Sequence, residues 1–178
     1  MDAQLTPVIE EADANRAFYE EFCRSLTPPQ LAAMVPDSPW RVKDYIAHLA
    51  SIDIYVGEWF AHTADGRRWR PNNSEDGSPF NIDTWNGARI KERYDASVDE
   101  LLAEAAELRA KLWATVDRFS PEVLAQQFNF RGRDITFLRY LQVWTAHDPA
   151  HSADMLRAIP EAKDERVAAW LAKYNIPA

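Results

Sequence analysis

The stretch 97–119, SVDELLAEAAELRAKLWATVDRF, decides the fold class. Ser97 and Glu100 stand three apart ahead of an apolar run, the capping-box pattern that satisfies free N–H groups at a helix start. Val98, Leu101, Ala105, Leu108, Leu112, Val116 and Phe119 then recur at steps of three and four, which gathers them on one helical face. The residues between them are mostly Ala, Glu, Arg and Lys, which favour helix. The spacing predicts a long amphipathic helix, and its apolar stripe requires partners of the same kind.

Those partners can be read on both sides. TPVIEEADANRAFYEEFCRSL (6–26) sets Val8, Ala12, Asn15, Tyr19, Phe22 and Leu26 on one face. SPWRVKDYIAHLASIDIYVGEWFAH (38–62) opens with Ser38 as the expected N-cap and Pro39 at the first helical position. Its stripe is Tyr45, Leu49, Ile52, Val56 and Trp59, with His48 at the border. A further helix is expected from about Asp134, as N-cap, to about Ala158. It carries Phe137, Leu141, Trp144, then His147 or Asp148, His151 and Met155. EAKDERVAAWLAKYNI (161–176) aligns Val167, Trp170, Leu171 and Tyr174 in a last amphipathic helix.

The connections are TPPQLAAMVPD (27–37), a long aperiodic loop over 63–79, a helical turn in FNIDTWNGARIKERYD (80–95) and SPEVLAQQFNFRGR (120–133). No strand and no internal repeat is evident. The expectation is an all-α fold, a four-helix bundle of up-down type with a long inter-helix loop and an extra C-terminal helix. One domain over 1–178 is expected.

The bulk numbers narrow the function. The chain has 178 residues, 47% hydrophobic and 27% charged, with a net charge of −8 and a pI near 5.0. Without a basic face, a nucleic-acid partner is not expected. No apolar run reaches the roughly 18 residues of a membrane span. MDAQLTPVIEEAD lacks the pattern of a signal peptide. The lone Cys23 forms no internal disulfide, which suits a reducing, cytoplasmic compartment.

Chemistry concentrates in WTAHDPAHSADM (144–155). His147 and His151 are four residues apart, so their Cβ atoms on a helix lie about 5–6 Å apart on one side. Two such imidazoles can reach one ion at about 2.0–2.1 Å, and a catalytic zinc takes a third protein ligand and leaves one position open. His48 is the candidate third ligand, and His62 is less suited beside the polar loop. Asp44, four residues before His48, has the spacing to accept its second ring N–H. The plainer alternative is a set of packed core histidines. Burying three neutral imidazoles strands polar nitrogens at about 1–3 kcal/mol each, and a metal removes that cost. Pro149, inside the pair, is expected to bend the helix.

SPWRVKDYIAHLASID (38–53) resembles the W-S-x-x-D-x-x-x-H-L signature of the DinB/YfiT-like superfamily, and WTAHDPAHSADMLRAI (144–159) resembles its second histidine-bearing signature. The resemblance implies a four-helix bundle in which His48, His147 and His151 bind a divalent metal, zinc or nickel being the first expectations. It also implies a metal-dependent enzyme, thiol S-transferase-like or hydrolase-like, with a role in detoxification and a low-molecular-weight thiol as co-substrate.

Candidate walls for a small-molecule substrate are Tyr55, Trp59, Trp85, Asn86, Tyr140 and Trp144, with Arg89 a further candidate beside Trp85 and Asn86, and the loop residues Arg67, Arg68 and Arg70 as candidates to grip the carboxylates of a thiol. The rival expectation is a non-catalytic helical bundle that binds or sequesters a small molecule. A homodimer through VAAWLAKYNI (167–176) is a further expectation.

Overall fold

The computed structural model describes residues 2–65 and 80–177. Helices dominate: α1 (Thr6–Ser25), α2 (Pro28–Ala32), α3 (Val42–Ala64), α4 (Ile82–Glu92), α5 (Val98–Val116), α6 (Pro121–Ala125), α7 (Phe137–Trp144), α8 (His147–Leu156) and α9 (Glu165–Lys173). A short hairpin, β1 (Gln127–Phe130) with β2 (Arg133–Thr136), precedes α7. The residues gather into two compact units, one of 1–45 with 124–178 and one of 46–123. The divide falls within the residues of α3.

In the unit of 46–123, α5 begins as its sequence dictates. The Ser97 hydroxyl accepts the Glu100 N–H, and the Glu100 carboxylate accepts the Ser97 N–H at 2.7 Å. Leu101, Leu102, Ala105, Leu112 and Val116 are buried from α5, as are Leu49, Ile52, Val56 and Phe60 from α3. Phe60 meets Phe119 edge-on at 5.6 Å. The Arg109 guanidinium donates through Nε to Asp53 at 2.5 Å, and both residues are buried. The turn expected in 80–95 is a full helix, α4, because Asn81 caps it by accepting the N–H groups of Asp83 and Thr84.

In the other unit, α1 matches the periodic stripe and buries Val8, Ala12, Asn15, Tyr19 and Phe22. The start of α3 differs from the Ser38 cap expected of the sequence. Residues 33–42 fold back on themselves, with Val35 N–H on Trp40 O and Val42 N–H on Ala33 O, so the helix is delayed to Val42. Its first turn is capped from within, the Asp44 carboxylate accepting the Arg41 N–H at 2.8 Å.

The segment 134–158 is likewise not one helix. Asp134 lies in β2, and Thr136 is the N-cap of α7, accepting the Arg139 N–H. The hairpin turn needs positive φ at both central residues, supplied by Arg131 (52°) and Gly132 (82°). A second break separates α7 from α8 at Thr145–Ala146, and Pro149 explains it. Proline has no N–H for the carbonyl four residues back, and its ring crowds that carbonyl. Here the carbonyl is that of Thr145, and the Asn15 side-chain amide of α1 donates to it instead at 2.7 Å.

The last helix folds back on its own chain. Asp164 caps α9 through the Val167 N–H, and Val167, Trp170 and Leu171 are buried. The indole N–H of Trp170 donates to Asn15 Oδ1 at 2.9 Å, and Phe18 packs on its ring at 4.7 Å. Val167, Trp170 and Leu171 of VAAWLAKYNI are thus covered by the chain's own residues.

Candidate metal centre

α8 delivers two imidazoles side by side. The rings of His147 and His151 lie 4.6 Å apart, nearly perpendicular at 79°. Trp144, at the end of α7, stacks on His147 at 4.3 Å and 15°, which fixes the plane of that ring. Tyr45, in the first turn of α3, meets the His151 ring at 5.5 Å. His48 is the next residue but two along that helix and is buried, with 4% exposure. A ligand nitrogen from each of His48, His147 and His151 lies within 4.8 Å of the other two.

The donor set is chemically uniform. Three neutral imidazoles, borderline in softness, suit zinc, nickel, copper or iron better than the hard ions that take oxygen donors. They compensate none of the charge of a divalent ion. The residues present fit a transition-metal site of this kind.

The surroundings of α8 were only partly visible in the sequence. Asp148, between the two histidines, is buried and takes both arms of the buried Arg16 guanidinium from α1, Nε on Oδ2 and Nη2 on Oδ1, each at 2.9 Å. His151 Nδ1 lies 2.9 Å from Asp154 Oδ2. Neither Arg16 nor Asp154 stands out in a single sequence, although Asp154 falls at the helical spacing i+3 from His151. Asp44, expected behind His48, is held by Arg41: Oδ2 accepts the backbone N–H and Nε, and Oδ1 accepts Nη2 at 2.8 Å.

Of the expected pocket walls, Tyr140 and Trp144 belong to the unit of 1–45 with 124–178, and Tyr55, Trp59, Trp85 and Asn86 to the unit of 46–123. Tyr140 stacks on Trp144 at 6.0 Å and is framed by Phe128 and Phe130 of the hairpin, so an aromatic row leads to His147. Trp59 packs against Phe60 at 5.4 Å. Tyr55 lies flat on Phe80 at 5.2 Å and touches Trp85 at 5.8 Å, and Arg89 caps the Trp85 ring. Asn86 is buried beside them, with 7% exposure. Arg67, Arg68 and Arg70 lie outside the described residues.

Cys23 is buried, and burial pushes its thiol up to about 12. A thiol that stays protonated in the core is no nucleophile.

The fold is helical, and His48, His147 and His151 form a group that could hold a metal ion. The chain belongs to the DinB superfamily, whose pattern it matches over residues 11–155. Solved structures share the fold, among them two proteins. The mycothiol-dependent maleylpyruvate isomerase superposes with a TM-score of 0.64 at 14% identity, over 87% of this chain and 63% of that one. This chain thus spans less than two thirds of the isomerase. YfiT from Bacillus subtilis, described as a probable metal-dependent hydrolase with an unusual four-helix bundle topology, gives 0.63 at 17% identity, over 90% and 86%. No curated protein sequence matches. The all-α four-helix-bundle expectation holds, and no described helix is long and apolar enough to cross a membrane.

Proposed function

We propose that the protein is a metal-dependent enzyme that joins a low-molecular-weight thiol to an electrophile, or hydrolyses one, in detoxification. The observation that carries this reading is the convergence of His48, His147 and His151. In it the three imidazoles would hold a divalent transition-metal ion, and zinc and nickel are the two we propose from among the metals that imidazole suits. Such an ion would supply a nucleophile at neutral pH, by lowering the pKa of a bound water towards about 7 or by favouring a thiol's ionised form.

The chain's own part is positional. Trp144 and Tyr45 hold the planes of the His147 and His151 rings, and aromatic surface around a site limits the water that reaches it. Tyr140 and Trp144 stack in a row that ends at His147, with Phe128 edge-on to Tyr140 at its far end. The protein's own thiol takes no part, because Cys23 is buried and protonated. A thiol co-substrate is therefore a separate small molecule. Likeness to a mycothiol-dependent isomerase supports the thiol branch, and likeness to YfiT supports the hydrolytic one.

The test uses metal-stripped protein reloaded with zinc or nickel. Loss of free thiol is followed with a panel of electrophiles, and hydrolysis of the same compounds is followed without thiol. The proposal expects turnover that disappears on stripping and returns on reloading. Binding of panel compounds that is indifferent to metal, with no turnover in either arm, would favour the non-catalytic binding bundle.

A further inference from the structure

The structure assigns Asp154 as the positioning residue of the metal centre: its carboxylate takes the Nδ1–H of His151 and leaves Nε2 as the only ligand atom on that ring. This inference rests on the metal-dependent reading above and adds to it a residue and a ring orientation.

The contact is between His151 Nδ1 and Asp154 Oδ2, 2.9 Å apart, three residues along α8. An ionised carboxylate only accepts hydrogen bonds, so the proton sits on Nδ1. A neutral ring with Nδ1–H has one lone pair left, on Nε2. Of the two imidazoles on α8, His151 is thereby fixed in tautomer as well as in place. A carboxylate behind a ligating histidine also makes the ring a stronger donor, because it shares the charge that develops on Nδ1–H.

The local structure makes this arrangement dependable. Both residues lie inside the regular part of α8, beyond the break at Thr145–Ala146, where i and i+3 side chains are neighbours. Tyr45 packs against the His151 ring at 5.5 Å and resists its rotation. Asp154 is only partly buried, with a side-chain exposure of 38%, and it borders a cavity of about 510 Å³ lined also by Arg157, Lys163 and Ile176. A group so placed can be changed without emptying the core.

The experiment compares wild type, Asp154→Asn and Asp154→Ala for zinc affinity by competition with a chromophoric chelator. Long-range 1H–15N NMR of His151 is recorded alongside, with and without zinc. The expected result is zinc binding about 10–100-fold weaker in Asp154→Ala, with Asp154→Asn between the two because its amide oxygen keeps the acceptor. The NMR should show Nδ1–H in the metal-free wild type, Nε2 coordination with zinc, and a mixture of tautomers in metal-free Asp154→Ala. Equal affinities in all three proteins, or coordination through Nδ1, would overturn the assignment. Wild type that binds no zinc would instead overturn the metal-dependent reading. The metal-free tautomer would still report whether Asp154 orients the ring.

Discussion

The guanidinium of Arg16 and the carboxylate of Asp148 form a two-armed ion pair in the protein interior, with side-chain exposures of 6% and 4%. It joins the middle of α1 to the first turn of α8, between the two histidines that α8 contributes. Removing one partner strands a charge away from water, at a cost of about 3–5 kcal/mol. Arg16→Met and Asp148→Leu singly should each lower stability by that order in urea unfolding. The double variant should recover most of it, since an apolar pair of similar volume needs no compensation. Single and double variants of equal stability would show that the pair carries no such strain.

Asn15 is a polar residue on the apolar face of α1, and its side chain serves three partners. It donates to Thr145 O and to the Tyr174 hydroxyl, and it accepts from the Trp170 indole. Asn15→Leu leaves buried groups on α9 and at the α7–α8 break without a partner, at about 1–3 kcal/mol for each group stranded. Hydrogen exchange should show faster opening of residues 145–150 and 165–174 in that variant. Unchanged protection in both segments would mean that the amide is not what holds them.

Cys23 should be silent in the native protein. Its thiol is buried and raised to about 12 by desolvation, so the thiolate that reacts is essentially absent at pH 8. A disulfide reagent such as DTNB should report almost no thiol in the folded protein and one per chain in denaturant. Rapid native labelling would contradict the burial and reopen Cys23 as a participant.

The α1–α9 contact carries a modest pH dependence. The hydrogen bond from Tyr174, followed by that from Lys173, holds the Glu11 carboxyl below its ordinary value of 4.5. The stabilisation is therefore complete above pH 4.5 and fades as pH falls through the lower folded value. Lys173 is raised above its ordinary 10.5 by Glu11, so its share is complete below pH 10.5 and fades as pH rises through the higher folded value. Both groups are largely solvated, so the effect should stay below about 1 kcal/mol. The stability difference between wild type and Glu11→Gln, measured from pH 3 to 7, should grow with pH and then level. A difference independent of pH would remove Glu11 from the account.

Long elements with a single apolar stripe were legible in the sequence. The Ser97–Glu100 cap and the stripe of α5 appear where the residues place them. The hairpin was not, because its strands are four residues each and one of its two positive-φ turn positions is filled by Arg131, which carries no turn signal. The late start of α3 was hidden because backbone pairing of residues 33–42 overrides the local Ser-Pro preference. For the site, i,i+4 spacing exposed His147 and His151, and helix-face position suggested His48. The Arg16–Asp148 pair could not be read, since its partners lie 132 residues apart and only packing joins them.

The most direct test of the account is calorimetric titration of zinc or nickel into metal-stripped, untagged protein. The account predicts one ion per chain, with binding abolished in His147→Ala/His151→Ala and in His48→Ala while the helical circular dichroism is retained. Metal content that is the same in wild type and in the double variant would contradict it.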